Sequence, residues 1–268
     1  GSFSTLLPDG SYRIEISKSG YIPITTYDTF ENSGTKYMET FRMAPDDQIG
    51  RGGFAGQITD AVTGDPVSDV TLQLRSGWNA PEEHEVIQTL TTDSNGEFLY
   101  DITELYGTIW GLPSGAYSLT ASKEDYATMQ FNVMVHPNEV TENQDATISP
   151  ALAEDEYRII LRWGATPSDL DSHYNAITTD GWWEHVYYSD MDGQTASLDW
   201  DARSSYGPET ITVTGFDQLK NGFIYSVHDY SNEGYDYCTE LSSSGAYVTL
   251  LRGNKRLKTY YVPTGRDG

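Results

Sequence analysis

The chain is poor in cysteine: Cys238 stands alone, so no disulfide can form within it. Its stability must come from packed cores or bound ions, and one thiol does not identify the redox compartment. Positive charge is scarce too. Sixteen Lys and Arg face 40 Asp and Glu, for a formal charge of −24. Such a chain is repelled by nucleic acid and by anionic lipid surfaces, which excludes partners of those classes. No apolar run approaches the ~20 residues of a membrane-spanning helix, so no membrane insertion is expected. No segment carries a 3.6-residue apolar stripe over three turns, and residues 102–110 are the one short helix candidate. Enzyme signatures are missing as well. There is no Gly-x-Ser-x-Gly, no phosphate-binding loop and no Gly-x-Gly-x-x-Gly after a strand. His84-Glu85 begins like a zincin motif, but Gln88 occupies the place of the second histidine. The chain is expected not to be an enzyme.

What the chain does have is aromatic mass and period-2 alternation. It carries 20 Tyr, 8 Phe and 6 Trp, far more than an acidic disordered segment. Polar and apolar residues alternate at 11–17, 70–76, 117–122, 157–163, 209–215 and 246–253, in runs rich in Val, Ile, Thr, Tyr and Leu. Turn chemistry separates them, as in Thr63-Gly64-Asp65-Pro66 and Asp93-Ser94-Asn95-Gly96. Many short strands with frequent turns predict an all-β protein built of tandem antiparallel β-sandwiches, immunoglobulin-like or transthyretin-like.

An internal repeat sets the domain count. Leu7, Gly10, Tyr12 and Ser17-Lys18 match Leu112, Gly115, Tyr117 and Ser122-Lys123 at one constant offset. That offset is the length of one sandwich. The first copy has no upstream half, so residues 1–48 read as the C-terminal part of a first repeat. A full sandwich follows at 52–152 and another at 156–268.

The segment from Gly56 to about Val135 resembles the carboxypeptidase regulatory-like domain. Its carriers are the stretch through Thr63-Gly64-Asp65-Pro66, then Thr92-Asp93 to Phe98, then Leu112-Pro113 to Tyr117. Asp125 departs from the glycine usual in that family. The resemblance implies a seven-stranded transthyretin-like sandwich that serves as a spacer or non-catalytic module in secreted and surface proteins. Residues 157–268 resemble the bacterial domain of unknown function DUF2135 of YfaP-like proteins, through the stretches at 161–174, 185–190, 198–213, 225–230 and 243–253. Members of that family usually continue with one more apolar strand. This implies an open sheet edge that a neighbouring chain could fill.

Chemistry concentrates in the last domain. In Ser168-Asp169-Leu170-Asp171-Ser172-His173, a strand would put Asp169, Asp171 and His173 on one face. Leu198-Asp199-Trp200-Asp201 repeats the pattern, with Asp199 and Asp201 opposite the apolar side chains. Neighbouring strands bearing such pairs would repel at ~5 Å unless a cation intervened. Calcium suits hard oxygen donors in loose geometry, and Glu209 could complete its shell. Zinc is the alternative, held by His173, His185 and His228 if they converge. The competing reading is a solvated strand face in a chain that is acidic everywhere. The rings of Trp182, Trp183, Tyr188 and Trp78, with Tyr187, Trp200, Tyr206 and Tyr230, offer a sugar-stacking platform, or else fill the core.

The sequence therefore predicts a non-catalytic segment of a secreted or cell-surface bacterial protein. It extends or presents a calcium-stabilised module that binds extracellular glycan or protein. Two alternatives stand beside it: an assembly subunit completed by neighbouring copies of itself, and a metal-dependent hydrolase.

Overall fold

The computed structural model describes residues 2–31, 36–38, 41, 43, 45, 50–235 and 237–264. It is all-β, and among the described residues the α-helix is limited to the single turn Glu240–Ser243. The helix candidate at 102–110 is instead a hairpin, with Thr103–Leu105 paired to Thr108–Trp110. Tyr106 and Gly107 turn it with φ of +53° and +71°. Two successive positive φ values match the right-handed twist of a hairpin, which a helical turn would not.

The N-terminal strands Gly10–Ile16 and Ile24–Phe30 form an antiparallel ribbon that packs within the chain. Tyr27 N–H donates to the Trp78 carbonyl at 3.1 Å, and Trp78 N–H donates to the Thr25 carbonyl at 2.9 Å. Ile24 and Thr26 are buried by this contact. The repeat recurs in three dimensions. The Tyr12 hydroxyl donates to the Pro8 carbonyl at 2.9 Å, as Tyr117 does to Pro113 at 2.7 Å. Gly20 and Asp125 occupy the same left-handed place, with φ of +81° and +63°. Aspartate is among the few side chains that tolerate this region, which accounts for its standing where the first copy of the repeat has Gly20. The rest of the expected first repeat, at 32–35, 39–40, 42, 44 and 46–49, lies outside the described residues, as do 265–268.

The central sandwich runs from Arg51 to Ile148. One sheet has the order Met129–Val135, Gly115–Ser122, Thr71–Ser76, Gln88–Thr91, all antiparallel. The other is built on Arg51–Asp60, which pairs with Glu97–Tyr100, Leu112–Pro113, Val140–Thr141 and Ala146–Ile148. Phe54, Ile58, Leu72, Leu74 and Leu119 fill the space between them and are wholly buried.

The C-terminal sandwich has a five-stranded sheet in the order Ala196–Trp200, Glu209–Val213, Tyr157–Arg162, Tyr247–Arg252, Lys255–Tyr261. A three-stranded sheet, Trp183–Val186, Asp171–Thr178, Leu219–His228, covers it. The Tyr157–Arg162 strand is buried on both faces. Ile159 and Leu161 enter the core of their own sandwich, whereas Ile160 joins the core of the central one. Arg158 bridges the two: it donates to the Ser149 hydroxyl at 2.7 Å, the Pro150 carbonyl at 2.8 Å and the Thr212 hydroxyl at 3.0 Å. Arg162 donates to the Thr147 hydroxyl. Sharing apolar and charged contacts in this way docks the two sandwiches as one packed body.

Candidate metal centre

The site lies at one end of the C-terminal sandwich, where strands of both sheets begin. Asp171 is the first residue of Asp171–Thr178 and Glu209 the first of Glu209–Val213. Along the latter strand, Glu209, Ile211 and Val213 share the core-facing side by period-2 alternation. Glu209 is therefore aimed between the sheets and is 0 % exposed. Its Oε2 accepts from the Ser172 N–H. Asp201 follows the end of Ala196–Trp200, and Asp169 sits in the loop before Asp171.

One oxygen each from Asp171, Asp201 and Glu209 lies within a 4.8 Å cluster. Asp169 Oδ1, Asp171 Oδ2 and Glu209 Oε1 are covered from solvent and have no hydrogen-bond partner among the described residues. Asp171 itself is 2 % exposed. Its Oδ2 faces His228 Nδ1 at 3.5 Å. Arg203 Nε donates to Asp201 Oδ2 at 2.9 Å and is otherwise exposed. One arginine at the rim cannot balance four carboxylates, and unpaired buried charge is costly.

Asp169, Asp171 and Glu209 respond by holding their protons to higher pH than is usual. Burial, and then the charges of Asp171 and Asp201, push Glu209 up to about 9 against the lowering effect of Ser172. Burial and then Asp169 raise Asp171 to about 6. Asp169 is raised by burial and by Asp201. Buried, unpaired oxygens whose carboxyl groups keep their protons above the usual range suit a hard divalent cation that would displace those protons.

Asp199 does not join this group. The pairing register shifts between Leu198 and Trp200 and the strand ends there, so alternation does not carry Asp199 into the cluster that Asp201 joins. Asp199 turns to the interdomain side instead, accepting from Ser197 at 3.0 Å and from Thr212. Glu209 takes the place the alternation pattern assigned to Asp199.

The three histidines lie next to the carboxylates. His173 Nδ1 and His185 Nε2 are 2.8 Å apart, and the His173 and His228 ring centres are 5.6 Å apart. Donor atoms of Asp171, His173 and His228 also fall within 4.8 Å of one another. Burial, then His185 and His228, lower the His173 pKa. The His185 pairing was not visible in the sequence beyond the hairpin that brings it opposite Asn175.

The aromatic candidates divide. Trp78 is 8 % exposed, stacks on Phe41 and donates from its indole to the Val133 carbonyl at 3.4 Å. It is a packing residue where the N-terminal ribbon meets the central sandwich, not part of a platform. Trp182 and Trp183 are both exposed, at 64 % and 59 %, because Trp182 precedes the strand that Trp183 begins. From Trp183 the rings run on through His185, Tyr187 and Tyr188 to Tyr230, with successive centres 4.2–5.8 Å apart. Trp200 lies elsewhere, over Gly64, and with Asp145, Arg162, Arg203 and Tyr206 lines a cleft of about 700 Å³ between the sandwiches.

No known family model matches the chain, and no curated protein matches it. Among solved structures it is similar to the major pilin SpaD of Corynebacterium diphtheriae, with 14 % identity and a TM-score of 0.29 over 80 % of this chain and 64 % of the pilin. BcpA, the major pilin subunit of Bacillus cereus, is 13 % identical with a TM-score of 0.28, over 80 % and 69 % of the two chains. A streptococcal ancillary pilin is 15 % identical with a TM-score of 0.25, over 97 % and 73 %. The chain thus spans less than two thirds of the length of SpaD. Likeness at this level carries no functional argument, so the functional reading rests on the site.

Proposed function

We propose that the chain is a non-catalytic segment of a secreted or cell-surface bacterial protein. Its C-terminal sandwich holds calcium through Asp169, Asp171, Asp201 and Glu209, and the aromatic rim beside that site binds an extracellular glycan or protein. The observation that carries the reading is Glu209: a fully buried carboxyl with a free oxygen, in one cluster with Asp171 and Asp201. Calcium there clips the Asp169–Asp171 loop to both sheets. The rim from Trp183 to Tyr230 offers flat rings to sugar C–H faces, with carboxylates nearby for hydroxyl groups. The resemblance of 56–135 to a spacer module of secreted and surface proteins supports this placement.

Thermal melts of the dialysed protein in EDTA and in calcium test the cation. A melting temperature that rises in calcium and loses that rise in Asp171→Ala supports the reading; identical melts refute it. Assembly through the Lys255–Tyr261 edge is the weaker reading. That strand pairs on one side only among the described residues, yet it carries Lys255, Arg256 and Lys258, the charges that discourage edge-to-edge pairing.

A further inference from the structure

We propose a second metal site, distinct from the calcium site, in which Asp171, His173 and His228 bind zinc. It shares Asp171 with the calcium site but does not depend on that site being occupied.

The donor set is the first argument. Two imidazoles and a carboxylate suit zinc rather than calcium, and their donor atoms already lie within 4.8 Å of one another. The second argument is the state of His173. Its Nε2 is covered from solvent and has no hydrogen-bond partner among the described residues. Its Nδ1 lies 2.8 Å from His185 Nε2. If His173 donates through Nδ1, its covered Nε2 keeps a bare lone pair free to bind a metal. A metal-bound histidine usually donates its other ring N–H in this way. His185 is then a positioning residue that fixes the tautomer and plane of His173, and not a ligand. The third argument is Asp171. It is 2 % exposed, and its Oδ2 faces His228 Nδ1 at 3.5 Å, too long for a good hydrogen bond but reasonable for two donors sharing one ion.

Three protein donors leave a tetrahedral zinc one further position, which water or an oxygen donor of a bound molecule takes. The ring of Tyr187 stacks on His173 at 5.3 Å, and Tyr230 meets His228 edge-on at 6.3 Å. The external position thus opens beside the same aromatic rim that is proposed to hold the ligand.

The test uses the whole chain, dialysed against chelator and then saturated with calcium. Zinc alone is titrated by calorimetry, and cobalt(II) is added in a parallel experiment for its visible absorption in a tetrahedral site. Cys238→Ser serves as the background, so that the thiol contributes no metal binding. The expected result is one zinc per chain and the absorption of tetrahedral cobalt. His173→Ala and His228→Ala should each lose both while keeping the rise in melting temperature with calcium. His185→Ala should weaken zinc ~10–100-fold without altering calcium binding. Glu209→Gln should lose calcium and keep zinc. Zinc binding that survives both His173→Ala and His228→Ala, or zinc that only displaces calcium one for one, would overturn the second site. Zinc bound as expected with no effect of calcium on the wild-type melt would sink the calcium reading alone.

Discussion

Glu209→Gln separates the cation site from a merely buried acid, and its sign is unusual. Without metal, Glu209 keeps its proton in the folded chain up to about pH 9, while the unfolded chain releases it near the ordinary 4.5. A raised carboxyl pKa means that stability is full below 4.5 and is lost as pH rises toward 9. The slope between those limits is roughly −1.4 kcal/mol per pH unit for this one group. At pH 7 the loss is on the order of 3 kcal/mol, which corresponds to roughly 6–12 °C for a cooperative unit of this size. Glutamine has the shape of the protonated acid and can still accept from the Ser172 N–H. In EDTA, Glu209→Gln should therefore melt above wild type at pH 7, and the gap should close toward pH 5. In calcium the order should reverse. The ion displaces the proton in wild type, whereas the neutral amide of the variant offers it no charge. Calcium at ~1,000 times its dissociation constant adds about 4.1 kcal/mol to wild type alone, more than the deficit it has to overcome. Calorimetric melts of both proteins at pH 5, 6, 7 and 8, with EDTA or calcium, give the full comparison. A wild-type melt indifferent to calcium, or a variant that calcium still stabilises, would refute the site. A pH-independent melt in EDTA would refute the buried-acid argument beneath it.

Other consequences are open to simpler tests. Trp78→Ala should destabilise the protein by roughly 3 kcal/mol in urea unfolding, because the ring is enclosed between the ribbon and the central sandwich. Trp182→Ala with Trp183→Ala should leave stability within ~0.5 kcal/mol, since both rings are exposed, yet abolish retention on an immobilised glycan array. Arg158→Ala should cost about 3 kcal/mol, because it leaves Asp199 and the Pro150 carbonyl without their buried cation. Its unfolding trace should also split into two steps as the sandwiches uncouple. Gly64→Val should lower the melting temperature, since φ there is +72° and an added Cβ would stand 2.8 Å from the Trp200 ring.

Some of the site was legible from residue order. Period-2 spacing put Asp171 and His173 together on a strand, and both lie in the cluster. The same spacing misplaced Asp199, because alternation holds only while the strand stays regular. The register shift after Leu198 and the end of the strand at Trp200 cannot be read from a hydrophobic pattern. Trp78 misled for a related reason. Its loop is polar in composition, but a ribbon distant in sequence covers it.

Residue order by itself determined the local facts: β-strands throughout, their turns, a repeat at a constant offset and a surplus of carboxylates. These follow from steric preference and alternation, which act over a few residues. Tertiary structure alone decided which carboxylates lost their water, which histidine backs another, and that Ile160 and Arg158 belong to a neighbouring sandwich as much as to their own. Those outcomes depend on contacts between segments distant in the chain, as when Glu209 meets Ser172 across 37 residues. Burial, not residue type, is what turns an ordinary glutamate at position 209 into a candidate metal ligand.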